Sequence, residues 1–416
     1  MDAPSRPMSE PRIAEAHALA TAGRYDEAAE LCRVILDAQP RHARAWMLLG
    51  AILLRQGDVE RSFAASARAV EFDPQLPLAH CNLGAAYAER LELAEAHACY
   101  DRALALDPNH ALTHVNRAIA WLLAGDSARG WPEYEWRWQL ADLFRRPVPH
   151  AELRWDGRLV AGQTLLVYAE QGSGDALQMV RFLPQIRAAG MRVVVRCGQP
   201  LVRLLRGSAL ADDVSPDGTE LPPFDRHASL MSVPGLVGAT LDTIPRDVPY
   251  VRPDARLLER WAGRLAPEHG FKVGLCWQGN PHHQRDAERS IHPTLLAPLA
   301  AVPGVRWVSL QRAHGSVVDL PFEALDLAPL LHDFADTAAA ILHLDLVVTV
   351  DTSVAHLAGA LGRPVWILLP FAPDWRWLLE RADSPWYPTA RLFRQPARGD
   401  WPWVTAQVVR ALGKLK

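Results

Sequence analysis

No run of about 18 uninterrupted apolar residues occurs in this 416-residue chain, so no segment reads as a membrane-spanning helix. The opening MDAPSRPMSEPR lacks an apolar stretch behind a basic start; it does not read as a secretory leader and predicts a cytoplasmic chain. Charge of one sign is also missing. The 44 Lys and Arg against 47 Asp and Glu leave a formal charge of −3, without the basic footprint that nucleic acid requires. Cysteine is sparse, at five residues, and no two form a C-x-x-C pair. Cys32, Cys81 and Cys99 fall on apolar faces of predicted helices and Cys197 and Cys276 at predicted strand ends, which fits buried thiols rather than disulfides or zinc ligands. No D-x-D pair is found, and His282 and His283 have no third ligand nearby, so they read as a solvated loop and no metal or other cofactor is expected. A chain this long and 49% hydrophobic divides into two or three units.

What is present is periodicity. Pro40, Pro74 and Pro108 follow acidic or polar residues at a 34-residue interval, the period of tetratricopeptide (TPR) repeats. Aligned on these prolines, the second repeat reads Trp46, Leu49, Gly50 and Ala69, and the third reads Leu83, Gly84, Tyr87, Ala96, Tyr100 and Ala103. A weaker first repeat carries Gly23, Tyr25 and Ala28, and a degenerate fourth runs from Ala111 through Trp121, Gly125, Trp131, Tyr134, Trp136 and Trp138. Such repeats stack into a solenoid whose groove commonly receives peptide, while the named apolar residues read as packing. The aromatic end from Gly130 to Trp138 reads as a docking surface for the next domain of the chain, because so many exposed tryptophans on a free cap would promote aggregation.

Beyond residue 140 the period changes. A connector over 141–161 leads to β-rich runs at Thr164–Ala169, Arg192–Cys197, Lys272–Trp277, Arg306–Leu310, Leu346–Val350 and Pro364–Leu369, several followed by helical stretches. The alternation predicts parallel sheets covered on both faces. A Pro- and Gly-rich middle, roughly Asp212 to Pro267, divides the region into two Rossmann-like halves, placed at 162–260 and 261–416, with a cleft between them. The predicted fold class is thus an all-α TPR solenoid (1–140) followed by an α/β pair.

Ligands in such sheets sit beyond the carboxyl ends of strands, which directs attention to four loops. In Glu170-Gln-Gly-Ser-Gly-Asp175, Asp175 opens a helix and reads equally as a helix cap or as a carboxylate facing the cleft. In Val350-Asp-Thr-Ser-Val-Ala-His356, Thr352 or Ser353 caps a helix whose free N–H groups suit a diphosphate, with His356 able to add a donor; a core histidine is the alternative. In Trp277-Gln-Gly-Asn280 and the polar loop after it, Arg289 and Ser290 precede a helix, and an arginine there could neutralise a leaving diphosphate. In Pro370-Phe-Ala-Pro-Asp-Trp-Arg-Trp377 the rings suit either stacking on a ligand or core packing.

Taken together these loops resemble the glycosyltransferases of the GT-B fold. More closely, YAEQGSGDALQMVRF, VGLCWQGNP, WVSLQ, DTSVAHLAGALGRPVW and FAPDWRW…SPWYP resemble a bacterial TPR-linked group related to the lipopolysaccharide heptosyltransferases of family 9, some of which modify flagellin. The fusion is similar in architecture to O-linked N-acetylglucosamine transferases. The resemblance implies inverting, metal-independent transfer from a nucleotide sugar, with the donor in the C-terminal half and the acceptor, a protein hydroxyl on Ser or Thr of a partner such as flagellin, reaching the N-terminal half from the TPR groove. Asp175 matches the family's general-base position. Gln278, Asn280, Arg289, Ser290, Gln311, Asp351, Thr352, Ser353, His356, Asp374 and Trp375 fall in the blocks that match its donor side. The stretch from Gly162 to about Pro249 is short for the first half of that fold. Two other readings stay open: a TPR scaffold with a catalytically inactive nucleotide-sugar domain, and a transferase acting on small glycans.

Overall fold

A computed structural model describes residues 9–140, 150–283, 285–312 and 320–415. The chain divides into two compact units, Met1–Leu143 and Phe144–Lys416. Residues 141–149 of the expected connector lie outside the described residues.

The first unit is helical: α1 (Ser9–Thr21), α2 (Tyr25–Ala38), α3 (Ala43–Arg55), α4 (Val59–Phe72), α5 (Pro77–Glu89), α6 (Leu93–Leu106), α7 (Ala111–Leu123) and α8 (Ser127–Tyr134). Consecutive helices pack as antiparallel pairs, and α3 also touches α5 and α5 touches α7, so the first helix of each pair forms the inner layer of the stack. The repeat is visible atom by atom. Trp46 Nε1 donates to the Pro40 carbonyl at 2.8 Å, and His80 Nε2 and His114 Nε2 pair with the Pro74 and Pro108 carbonyls at 3.0 and 2.9 Å. Asn82 Nδ2 ties α5 back to the Met47 carbonyl at 3.1 Å, and Asn116, one repeat on, turns Nδ2 to Cys81 Sγ at 3.6 Å. Within each pair the turn needs a left-handed residue, supplied by Gly23, Gly57 and Gly125 with φ of 77°, 79° and 86°. The third repeat has Leu91 there, at φ 63°.

Much of the aromatic end is consumed inside this unit. Trp121 lies between the His97 ring, 3.5 Å away, and the Arg129 guanidinium, 3.4 Å away, while Trp136 stacks on His114 at 3.9 Å. Trp138 Nε1 donates to Glu135 at 3.0 Å, and Arg117 is paired with both Glu133 and Asp101.

The second unit holds β1 (Thr164–Tyr168), β2 (Arg192–Cys197), β3 (Asp213–Pro216), β4 (Arg226–Ser229), β5 (Phe271–Cys276), β6 (Val305–Ser309), β7 (Leu325–Asp326), β8 (Leu346–Val350), β9 (Val365–Leu369) and β10 (Ala390–Arg394). Its helices are α9 (Ser173–Met179), α10 (Leu183–Ala188), α11 (Gln199–Gly207), α12 (Val233–Leu236), α13 (Ala255–Leu265), α14 (Asp286–Arg289), α15 (Phe334–Leu342), α16 (Ser353–Ala360) and α17 (Trp401–Leu412). The strands form two parallel sheets, ordered β3-β2-β1-β4 and β10-β9-β8-β5-β6-β7. Each lobe is covered by helices, which gives a GT-B-like bilobed fold. Central strands such as LLVY and LVVTV are buried on both faces, as near-continuous apolar runs in parallel sheets must be. In the second lobe Val273, Leu275, Val348, Trp366, Leu368 and Phe393 share one core with Trp401, Val404 and Val408 of α17.

The Pro- and Gly-rich middle is more than a divider. It supplies β3 and β4, the two edges of the first sheet, and then α13, whose Trp261 Nε1 donates to the buried Asp336 on α15 at 3.3 Å. Arg203 of α11 reaches the same carboxylate at 2.7 Å, tying the lobes together beside the cleft.

Candidate active site

Between the carboxyl ends of the two sheets lies a cleft of about 650 Å³. It is built from the loops after β1, β5, β6, β8 and β9 and from the start of α15.

On one wall β8 ends in Asp351, and Thr352 caps α16 by accepting from the Val354 N–H at 3.3 Å. Such a cap is worth about 1 kcal/mol. The Ala355 N–H is taken by the Thr352 carbonyl at 3.0 Å, so the Ser353 N–H is the first-turn donor left beside the cleft, at the positive end of the helix. Asp351 is 8% exposed, and burial, reinforced by the charge of Asp374, pushes its carboxyl up to about 6. One turn on, His356 is held by Tyr387, whose hydroxyl lies 2.9 Å from Nδ1, and by stacking on Trp377. Burial, then the positive charge of Arg376, drives its pKa down to about 3, so the ring is neutral. Its Cδ2–Nε2 edge is turned toward Gly174 of α9, and the residue lines the cleft. A Cβ at Gly174 would lie 2.7 Å from His356 Cδ2 and 3.4 Å from Ser353 Cα, so glycine is what allows the two helix starts to approach across the cleft.

The loop after β5 is organised by groups that sequence reading assigned to the ligand. Gln311 accepts at Oε1 from the Trp277 and Gln278 N–H groups at 3.1 and 2.9 Å, and donates from Nε2 to the Gln278 and Arg312 carbonyls at 3.2 and 3.1 Å. Ser290 Oγ accepts from the Gly279 N–H at 3.0 Å and donates to Asp286 at 2.9 Å. The other oxygen of Asp286 receives Arg289 Nε at 3.2 Å. This aims the guanidinium of Arg289 at the cleft, where its charge opposes the rise at Asp351.

Asp175 faces these groups. It does not cap α9 from the N-cap position. It stands in the first turn, and Oδ2 reaches back to the Gly172 N–H at 2.7 Å. Oδ1 accepts from Arg376 Nη2. Arg376 in turn donates from Nε to Gln178 at 2.6 Å and from Nη1 to Asp374 at 2.8 Å, with its guanidinium 4.3 Å from the Trp375 ring. Burial would raise the Asp374 carboxyl, but Arg376, through its charge and two hydrogen bonds, outweighs it and holds the group below its ordinary value. Glu170, nearby in chain, accepts from Ser229 Oγ at the end of β4.

Asp175, Gln278, Asn280, Arg289, Gln311, Asp351, Thr352, Ser353, His356 and Asp374 therefore border one cleft. Ser290 stands behind the wall, and Trp375 is buried edge-on against Trp386 at 6.0 Å. Sequence reading noted Arg376 in its loop without placing it in the site, and passed over Asp286. Arg376 lies within a quoted motif, but only the fold sets it between carboxylates of two lobes. Asp286 carries no local signal at all. His282 is exposed, and His283 Nδ1 accepts from the Arg285 N–H at 3.2 Å. Among the described residues no group of three or more His, Cys, Asp or Glu is arranged to hold a metal, and no helix is long and apolar enough to cross a membrane.

Comparison with known proteins agrees with this organisation. Tetratricopeptide-repeat models match residues 13–77 and 77–110, and the model of glycosyltransferase family 9 (heptosyltransferase) matches residues 310–369, the span from Leu310 through the α16 loop to the end of β9. The chain thus joins a TPR region to a family 9-like glycosyltransferase domain. It is 28% identical over 431 residues to Protein FlbA of Caulobacter vibrioides, covering 95% of this chain and 71% of that one. Among solved structures it is similar to a family 9 glycosyl transferase from Veillonella parvula (12% identity, 63% of this chain and 99% of that one, TM-score 0.48). A mutant O-GlcNAc transferase of Thermobaculum terrenum aligns over 100% of this chain and 93% of its own (16% identity, TM-score 0.39).

Proposed function

We propose that the cleft transfers a sugar from a nucleotide-sugar donor to a hydroxyl, with inversion and without a metal, and that the acceptor is a Ser or Thr of a protein held by the TPR array, flagellin being one candidate. The observation that carries this reading is the opposition, across one cleft, of a carboxylate (Asp175) to a helix N-terminus and an arginine (α16 and Arg289). In the reaction the acceptor O–H gives its proton to the carboxylate as its oxygen bonds to the anomeric carbon. The bond from that carbon to the phosphate breaks, and its electron pair leaves on the nucleoside diphosphate. Charge then grows where the N-terminus of α16, the guanidinium of Arg289 and the neutral ring of His356 can stabilise it, so they supply the electrostatic half of catalysis without a metal ion.

A thermal-shift screen of nucleotide sugars identifies the donor, since a ligand that binds only the folded chain raises its melting temperature. With that donor, Asp175→Asn is expected to retain binding and to lose about 10²–10⁴-fold in transfer. Near-normal transfer by Asp175→Asn would remove it from the base role and point to Glu170. Donor binding with no transfer to any acceptor, even by the unaltered chain, would favour the inactive-scaffold reading.

A further inference from the structure

The candidate base is held on both of its oxygens. Asp175 brings one oxygen to the Gly172 N–H and the other to Arg376, and Arg376 is shared with Asp374 on the opposite lobe. Both oxygens of Asp175 are thus engaged by donors of the protein itself, and the one held by Arg376 has to be released before an acceptor hydroxyl can take its place. Arg376 also borders the cleft that Arg289 and the α16 N-terminus line, where a diphosphate would be bound. A diphosphate presents more negative charge and more acceptor oxygens to a planar guanidinium than a single carboxylate does.

We propose that Arg376 is a positioning residue that makes Asp175 available only when the donor site is filled. In the structure its Nη2 is given to Asp175. When the nucleotide sugar enters, that nitrogen turns to the diphosphate while Nε and Nη1 keep their hold on Gln178 and Asp374, so the guanidinium pivots rather than leaves. Donor and acceptor chemistry are thereby coupled, with the donor binding first. The proposal rests on the nucleotide-sugar reading above.

A consequence can be measured without knowing the acceptor. If diphosphate binding must break the Asp175–Arg376 pair, removing the charge of Asp175 removes that cost, and by linkage the nucleotide binds more tightly. The probes are ADP, UDP and GDP, titrated calorimetrically into the full chain. For whichever binds, Asp175→Asn should tighten the dissociation constant by about five- to tenfold, within the range common for coupled sites. The gain should vanish in the Arg376→Met background, and Arg376→Lys, which keeps the charge but not the planar fork, should recover only part of it. The Arg376→Met comparison separates the proposal from a general relief of negative charge, which would tighten binding equally with or without Arg376. It also separates it from a purely architectural arginine, for which Asp175→Asn would leave affinity unchanged or weaken it. Either of those results overturns the proposal and leaves the glycosyl-transfer reading standing. Should the unaltered chain bind no nucleoside diphosphate and no nucleotide sugar, that reading fails and this proposal with it. Melting curves identify any variant that has not folded, and Asp175→Ser then replaces Asp175→Asn.

Discussion

Asp351 shows what a side chain can cost the fold that holds it. An exposed aspartate titrates near 4, whereas burial and the neighbouring Asp374 push this one up to about 6. Between those values the folded chain binds more protons than the unfolded chain, so stability from this group is full below pH ~4 and is lost as pH rises through about 6. At neutral pH the loss is of order 2–3 kcal/mol, taking about 1.4 kcal/mol for each unit. Asp351→Asn should therefore raise the melting temperature by several degrees at pH 7.5 and change it little at pH 4. An unchanged or lower melting temperature at pH 7.5 would show that the carboxylate is better accommodated than its surroundings indicate. A carboxylate kept in a cleft against its own stability is the pattern expected of a group retained for function.

At the scale of elements, the turn between α5 and α6 departs from its three counterparts. Where Gly23, Gly57 and Gly125 take left-handed φ freely, Leu91 bears the steric penalty of a side chain, about 1 kcal/mol. Leu91→Gly should stabilise the repeat unit by roughly 0.5 kcal/mol, less than the full penalty because glycine also gains entropy in the unfolded chain. Urea unfolding of the two proteins decides the sign. That turn lies on the period by which the repeats could be read, since 34-residue spacing is a property of local packing that every repeat restates. The long strands were equally legible, because LLVY, the VVV of RVVVRC and LVVTV are buried on both faces and so are written as near-continuous apolar runs. β3 and β4 were not. As four-residue edge strands containing Asp, Ser, Pro, Arg and His, they carry one strongly apolar residue between them, Val214, and they sit among prolines and glycines that mark turns. The same distinction holds in the cleft. Helix starts and strand ends locate Asp175, Asp351 and Thr352 from the sequence, whereas the role of Gln311 in fastening the β5 loop depends on hydrogen bonds to residues more than 30 positions away.

For the whole molecule, what calls for explanation is why a repeat array and a transferase-like domain share one chain. The inner helices α3, α5 and α7 carry Ala51, Ala85 and Ile119 at corresponding positions, each at least partly exposed, and Ile119 is 38% exposed. These three positions form an uncharged row suited to an extended segment of another protein, and binding there would contribute energy remote from the reacting hydroxyl. An enzyme acting on small glycans has no use for that energy. Ile119→Asp and Ala85→Asp, singly and together, place charge on the row without touching the cleft. With the donor found by thermal shift, transfer of labelled sugar to protein should fall by about tenfold or more through a raised KM, since a buried charge in an apolar contact costs several kcal/mol unless it is paired. Donor affinity, slow donor hydrolysis and the melting temperature should stay as they were. If labelling of protein proceeds at its original rate in the double variant, the row is not where the acceptor binds. The small-glycan reading would then gain ground, because the array would no longer be needed to explain what the cleft selects.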